Sequence, residues 1–257
     1  MRPILSLAAW NWRMARRPYG ILCAVFAVQQ LIVLLYQAQV PNQIGDGLAA
    51  YYSQGLQINV FGITFLLAGL LAGPAINDQK RAKCSYTWLT MPLSPAARLA
   101  AQVLTAAVLL LGIVALQLVL YAVYSVPVHL FENFVLAQQE RPYSVQMLFY
   151  EEVIRSGGIY WMIPRRLGQA ALMAFTLLAA ALLLTAVRLH RGWRRAVAVV
   201  IGLVCAWDCA HLLGSEANFA RWGYSFPSAP RSAVILAVLL GFSVWWALRA
   251  IRRAETA

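Results

Sequence analysis

Long apolar runs alternate with shorter polar stretches along the 257 residues of the chain. A helix of about 20 apolar residues is long enough to cross the hydrocarbon core of a bilayer. Six runs approach or exceed that length, and they cover approximately residues 19–38, 58–76, 99–126, 167–187, 196–213 and 232–248. The pattern therefore predicts an all-α, polytopic membrane protein in which residues 1–257 form a single domain with six transmembrane helices.

The composition supports a membrane protein and favours a lipid bilayer over nucleic acid as its partner. Hydrophobic residues make up 61% of the chain, charged residues make up only 12%, and the mean hydropathy is +0.66. A soluble domain of this size does not need so much apolar surface. The net charge of +12 is distributed between the apolar runs and does not form one face, so a lipid bilayer is the predicted partner and nucleic acid is not.

The charged residues sort to opposite sides of the predicted bilayer. Most of the 21 Lys and Arg residues lie before the first run, in 77–98, in 188–195 or after the last run, whereas most of the nine acids lie in the other loops. Loops rich in Lys and Arg stay on the cytoplasmic side of a membrane. Both termini are therefore predicted to be cytosolic.

Residues 77–98 form the longest polar, basic interruption between two apolar runs. Its charged residues are Asp78, Lys80, Arg81, Lys83 and Arg98. Asn77 or Asp78 can cap a short helix that Pro92 ends, and Ser94 followed by Pro95 is a second helix-start signal. The short helix would carry an apolar stripe of Ala82, Tyr86 and Leu89. We therefore predict a short cytosolic helix held between two membrane spans.

Two further segments are predicted to lie along the membrane. Residues 1–17 place basic side chains, among them Arg13 and Arg17, opposite an apolar face, which favours an interfacial helix on the cytosolic leaflet over an unstructured basic leader. Residues 127–164 are too apolar to be a free external loop. We expect them to lie on the outer surface or to plug the outer mouth of the bundle.

Among the polar side chains within the predicted spans, four are candidates for a substrate path or a structural role. Gln29 and Gln30 lie in the middle of the first span, and such amides more often bond to a neighbouring helix than bind a substrate. Asp208 is the only acid inside a span, with His211 one turn on, and a carboxylate there is either a functional group or a structural one near the interface. The interpretation as structural is favoured, and all four remain candidates for a substrate path. Gly69 and Gly73 form a GxxxG pair that allows close helix approach.

No motif predicts catalysis or a metal in this chain. The sequence contains no GxxxxGK[ST], HExxH or GxSxG pattern. Cys205, Asp208 and Cys209 share a helical face, but three ligands on one helix rarely surround an ion, so no metal site is predicted. The chain is therefore predicted not to be an enzyme and not to bind a cofactor itself.

The loop and the N-terminal helix resemble those of the permease subunits of the ABC transporter type-2 export family. The shared pattern is an acid, basic residues, a run to Pro-Leu-Ser and a basic residue opening the third span. Here it is Asp78, Lys80-Arg81, Thr87-Trp-Leu-Thr-Met-Pro92-Leu-Ser94 and Arg98. The likeness in topology covers the whole chain, and the likeness in sequence is confined to residues 1–17 and 77–98.

The resemblance implies a permease of the bacterial plasma membrane that moves a substrate outward. Two separate ABC ATPase subunits, which would hold ATP and Mg²⁺, and a second permease copy or homologue are the implied partners. The implied ATPase-coupling residues are Asp78, Lys80, Arg81, Lys83, Tyr86, Trp88 and Leu89 in the first cytosolic loop, and Arg191, Trp193 and Arg194 in the second. The interfacial helix would add Arg13, Arg16 and Arg17. The competing prediction is a stand-alone six-span channel, or an immunity or binding factor, with no ATPase.

Overall fold

The structure is a computed structural model. It describes residues 2–39, 56–71, 93–138, 167–189, 196–197, 200 and 229–255. The major helices in these ranges are α1 (Arg2–Gln37), α2 (Leu56–Leu70), α3 (Pro95–Gln138), α4 (Leu167–Leu189) and α5 (Ala229–Glu255). The described residues contain no β-strand, and this confirms the all-α prediction for that part of the chain.

Two of the described helices, α1 from Pro3 to Gln37 and α3, are long and apolar enough to cross a membrane by length and composition. Shorter apolar helical stretches occur at Asn59–Leu70 in α2 and Leu177–Arg188 in α4. The fifth predicted span, 196–213, lies almost entirely outside the described residues.

The predicted break between an interfacial helix and a first span is wrong as a helix boundary. Residues 1–17 and 19–38 were expected to be separate elements, but α1 runs through Pro18 without ending. A proline removes its own N–H donor and leaves the Met14 carbonyl without its usual partner, yet its fixed φ is compatible with a helix. The segments predicted as an interfacial helix and a first span therefore form one continuous helix, Arg2–Gln37.

The helix α3 extends beyond its predicted span of 99–126 at both ends. It has 44 residues and contains Pro127, where the sequence predicted that the external segment begins. Residues 127–138 of the predicted segment 127–164 thus belong to α3, and the rest lie outside the described residues. At 1.5 Å per residue the helix is roughly 66 Å long, about twice the hydrocarbon thickness of a bilayer. A membrane span of this length would tilt or project beyond the bilayer.

The core of the described structure follows α3, which contacts all four of the other described helices. Long apolar side chains of α3 fill this core because apolar residues occur on all sides of that helix. The largest fully buried apolar or aromatic side chains are Leu109, Leu110, Ile113 and Tyr121 of α3, Phe26 and Leu34 of α1, and Ile251 of α5.

Hydrogen bonds show that α1 and α3 run in the same direction. The Tyr19 hydroxyl donates to the Leu109 carbonyl at 2.9 Å, and the Tyr124 hydroxyl donates to the Ala27 carbonyl at 2.9 Å. Both helices thus ascend in residue number between the two contacts. Two parallel neighbours need a third segment that brings the chain back between them.

The helix α2 provides that return. The Gln57 side chain donates to the Gln30 carbonyl at 3.2 Å, and the rings of Phe26 and Phe61 lie 6.4 Å apart. From the first contact to the second, residue numbers increase in α2 (57 to 61) and decrease in α1 (30 to 26), so the two helices are antiparallel. The first three helices therefore run up, down and up, as three successive crossings of a membrane require.

Two glycines allow the close contacts in this bundle. A Cβ at Gly112 of α3 would overlap the Tyr19 hydroxyl, and a Cβ at Gly69 of α2 would overlap the Leu184 side chain of α4 and lie 3.3 Å from Leu110. The prediction that Gly69 lies at a close helix contact is confirmed. Its GxxxG partner, Gly73, lies outside the described residues.

We expect Gly112→Ala to weaken the contact between α1 and α3. The added methyl group displaces the Tyr19 hydroxyl from the Leu109 carbonyl, whereas Gly62 has open space where its Cβ would lie. Both substitutions gain similar helix propensity, so Gly112→Ala should be less stable than Gly62→Ala by about 1–2 kcal/mol, the cost of a lost buried hydrogen bond. Denaturant unfolding in detergent micelles measures the difference.

Tyr19→Phe supplies the control for this prediction. It removes the overlapping oxygen and leaves the ring Cζ at 3.4 Å from the added methyl, an ordinary contact distance. In that background Gly112→Ala should cost no more than Gly62→Ala, so the two changes are non-additive. An equal penalty with and without the hydroxyl would contradict the account.

Candidate functional site

The beginnings of α1 and α3 pack against each other at one end of the bundle, and we call this contact the junction. Leu7 of α1 and Ala101 of α3 are both buried there. Partly buried side chains surround them, namely Ile4, Ala8, Trp10 and Leu93. Because Leu93 belongs to the predicted loop 77–98, the last part of that loop is held against the N-terminal helix.

The start of α3 is fixed by Ser94, as the sequence predicts. The Ala97 amide donates to the Ser94 side-chain oxygen at 3.3 Å, and the Arg98 amide donates to the Ser94 carbonyl at 3.1 Å. Pro95 takes the first helical position, where no N–H is needed. The cap fixes the point at which the polar loop ends and the rigid helix begins.

Arg98 differs from its predicted place in a cytosolic loop. It lies in the first turn of α3, and only 4% of its surface is exposed. One turn of helix carries the chain from the Ser94 cap into the contact with α1, so the side chain is covered by neighbouring residues. Arg98 is therefore part of the junction and not part of a solvated surface.

Polar side chains are buried on both helices of the junction. On α3 they are Arg98, Gln102 and Thr105, and on α1 the buried polar side chain is Asn11. The Thr105 hydroxyl donates to the Ala101 carbonyl at 2.9 Å and lies 3.4 Å from the Ala8 carbonyl oxygen of α1. Polar contact thus accompanies the apolar contact between the two helices.

Asn11 is a residue that reasoning from the sequence missed. Its side chain is fully buried, and neither atom of its amide has a hydrogen-bond partner in the structure. A buried amide without hydrogen-bond partners is costly, so it calls for a physical explanation. The available signal is its spacing, because Leu7, Asn11 and Ala15 follow one another at four-residue intervals and all three are buried.

The other side of the same helix is positively charged. Arg13, Arg16 and Arg17 are exposed, as expected for the polar face of residues 1–17. The Trp12 ring, 40% exposed, lies 5.9 Å from the Tyr19 ring. Basic and aromatic side chains together suit a position at the edge of a bilayer, where the basic groups can contact either anionic lipid headgroups or an acidic partner.

A second aromatic and basic group lies at the end of α5. The Arg249 guanidinium lies 5.2 Å from the centre of the Trp245 ring, and Phe242 contacts both Trp245 and Trp246 at ring distances of 6.0 and 5.3 Å. Tryptophan and arginine are enriched at membrane interfaces. This arrangement fits the predicted end of the last span.

The two glutamines of the first span have different surroundings. Gln30 is fully buried, and its backbone carbonyl, not its side chain, accepts the bond from Gln57. Gln29 is exposed on the outside of α1. The sequence treated the pair as equivalent, whereas the structure directs one inward and the other outward.

The other predicted site residues lie outside the described residues. They are Asp78, Lys80, Arg81, Lys83, Tyr86, Trp88 and Leu89, Arg191, Trp193 and Arg194, and Asp208 and His211. Among the residues that the structure does describe, no three His, Cys, Asp or Glu side chains come together as a metal site. Comparisons with protein-family models, curated proteins and solved structures find no match.

We expect Ala101→Leu to open the junction, whereas Ala100→Leu should not. Ala101 is fully buried against α1, and its neighbour Ala100 is exposed. Adding a large side chain to a filled contact typically costs about 1–3 kcal/mol. Trypsin cleavage after Arg13 and Arg16 should be faster in Ala101→Leu than in the unsubstituted chain, because α1 is no longer held by α3. Equal cleavage rates in the two leucine variants would contradict the role of this contact.

Proposed function

We propose that the chain is the transmembrane permease subunit of an ATP-driven exporter, which moves a substrate outward when separate ATPase subunits act on its inner face. The single observation that carries the proposal is the junction. There the N-terminal helix packs against Leu93 and Ala101, at the end of the predicted loop 77–98. The two elements that the family resemblance implies as ATPase-docking elements thus meet at one end of the bundle.

The direction of the first three helices supports the proposed topology. A chain that runs up, down and up places the beginning of α1 and the beginning of α3 on the same side of a membrane. The basic residues of 1–17 and 77–98 make that side the cytosolic one by the positive-inside rule. Six spans with both termini inside the bacterial plasma membrane complete the proposal.

In the proposed mechanism the partner ATPase hydrolyses ATP, and this chain changes conformation in response. ATP and Mg²⁺ would bind the ATPase subunits, whose closure would shift residues 78–91 and 188–195. Displacement of the capped first turn of α3 would carry along a helix that contacts all four other described helices. Two permease copies would then rock and open a path outward.

The proposed contacts divide by chemistry. The apolar anchors would be Tyr86, Trp88 and Leu89, because buried aromatic side chains contribute most of the binding free energy at such interfaces. The loop would be oriented by its charged residues, Asp78, Lys80, Arg81 and Lys83. Further contacts to the ATPase would come from Arg191, Trp193 and Arg194 in the second loop and from Arg13, Arg16 and Arg17 beside the junction. Substrate would pass through the bundle interior, for which Gln30, Asp208 and His211 stay candidates.

The test is the triple variant Tyr86→Ala, Trp88→Ala and Leu89→Ala, co-purified with the ABC ATPase of the same organism from membranes. Loss of the anchors should lower the amount of bound ATPase by about 30-fold or more, since one interface anchor of this kind contributes about 2 kcal/mol or more. Transport-coupled ATP hydrolysis should fall in parallel.

Phe134→Ala is the matched control. Phe134 is an exposed aromatic residue at the opposite end of α3 from the junction, so its loss should leave ATPase binding unchanged. Unchanged binding and hydrolysis in the triple variant would count against the coupling role. Transport by the purified chain alone in vesicles, without nucleotide, would instead favour the stand-alone six-span protein.

A further inference from the structure

Two helices present long apolar stripes to the outside of the described bundle. On α3 the stripe includes Leu104, Val108, Leu111, Val119, Val123 and Leu130, and none of the exposed α3 residues from Leu104 to Leu130 is polar. On α1 it includes Ile21, Val25, Val28, Gln29, Ile32 and Tyr36. The α3 stripe suits lipid tails along its whole length, whereas the α1 stripe has an amide in its middle.

Among the described residues, no side chain or backbone group forms a hydrogen bond with the side-chain amide of Gln29. It lies near the middle of the predicted span 19–38, roughly 14 Å from either end of it at 1.5 Å per residue. Lipid tails cannot donate or accept a hydrogen bond, so an amide at that depth is stabilised only by another polar group. The side chain points away from the helices that pack against α1, since Gln30 next to it is buried among them.

We propose that the α1 stripe around Gln29 is the surface on which a second copy of this chain docks, and that the two Gln29 amides bond to each other. An amide has both donors and acceptors, so it is complementary to itself. Two copies inserted in the same direction hold Gln29 at the same depth, and a two-fold axis along the membrane normal brings the two amides together.

The rest of the stripe fits the same occupant. No exposed residue of α1 between Pro18 and Tyr36 is charged, so two identical stripes meet without like-charge repulsion. Only 17% of the most apolar window of α1 is buried in the single chain, against 50% for α3, so α1 retains free surface for a neighbouring helix. Small and β-branched side chains beside Gln29, such as Ala24, Val25 and Val28, allow close approach.

This inference rests on the proposed function in one respect, namely that α1 spans the membrane and works in a pair of permease copies. It does not depend on how the ATPase is bound. Failure of the two proposals is therefore distinguishable when copy-to-copy contact and ATPase co-purification are measured on the same preparations.

Cross-linking in membranes tests the surface. The full chain, with Cys23, Cys84, Cys205 and Cys209 changed to alanine, receives Val25→Cys or Ile32→Cys, one turn on either side of Gln29. Oxidation should yield a covalent dimer of the chain for both. Val119→Cys lies on the α3 stripe at a similar depth, by the contact between Ala27 and Tyr124, and should give none.

Removal of the amide tests the bond. In lipid vesicles that contain only the labelled chain, energy transfer between copies at increasing lipid dilution gives the dissociation constant. Gln29→Leu should raise that constant about 3- to 20-fold, the range for interhelical hydrogen bonds in membranes. Gln39→Leu removes an exposed amide just beyond the end of the same helix and should leave the constant unchanged.

Several outcomes would overturn the proposal. In the cross-linking experiment they are a covalent dimer from the Val119→Cys variant but not from the Val25→Cys and Ile32→Cys variants, or a covalent adduct with a different protein in place of the dimer. In vesicles they are a chain that stays monomeric at every dilution, or equal dissociation constants for Gln29→Leu and Gln39→Leu. A chain that stays monomeric yet still co-purifies its ATPase would remove this inference and leave the proposed function standing. A chain that dimerises through Gln29 and binds no ATPase would do the reverse.

Discussion

Two tyrosine hydroxyls cross the contact between α1 and α3 in opposite directions, from Tyr19 to the Leu109 carbonyl and from Tyr124 to the Ala27 carbonyl. In apolar surroundings no water replaces these bonds, so together they fix both the rotation and the register of the two helices. The remaining order of the described bundle follows from this pair. The return helix α2 packs antiparallel to α1, and the starts of α1 and α3 are brought together as the junction.

Periodicity and length predicted the presence of all five described helices, but proline misled the prediction of where two of them end. Pro18 and Pro127 each lie inside a helix. Two serines near prolines in or beside α3 make different hydrogen bonds, and only one of them marks a helix end. Ser94 accepts from the Ala97 amide and starts α3, whereas the Ser125 hydroxyl donates back to the Ala122 carbonyl and leaves the helix intact.

Less of the site than of the fold could be predicted, for a physical reason. Basic and aromatic residues near span ends can be recognised from the sequence alone because the bilayer sets their depth, and Arg13, Arg16 and Arg17 are exposed as expected. The direction in which a polar side chain points depends on which neighbour packs where. Gln29 and Gln30 are about 100° apart around one helix, and only the positions of α2 and α3 make one an inner and the other an outer residue. Asn11 escaped notice for the same reason.

The pairing of α1 with α3 also means that α1 is synthesised well before its main packing partner. The residues joined by Tyr124 and Ala27 are 97 positions apart in the chain, whereas Gln57 and Gln30 are separated by 27. At a synthesis rate of about 5–20 residues per second, α1 waits roughly 5–20 s for its main partner, with only α2 beside it at first. During that interval Tyr19 and Ala27 of α1 lack the α3 residues to which they are hydrogen-bonded in the folded chain. The contact between α1 and α2, which includes the Phe26 and Phe61 rings, therefore has to hold the first two helices together until the ribosome has delivered the longest helix.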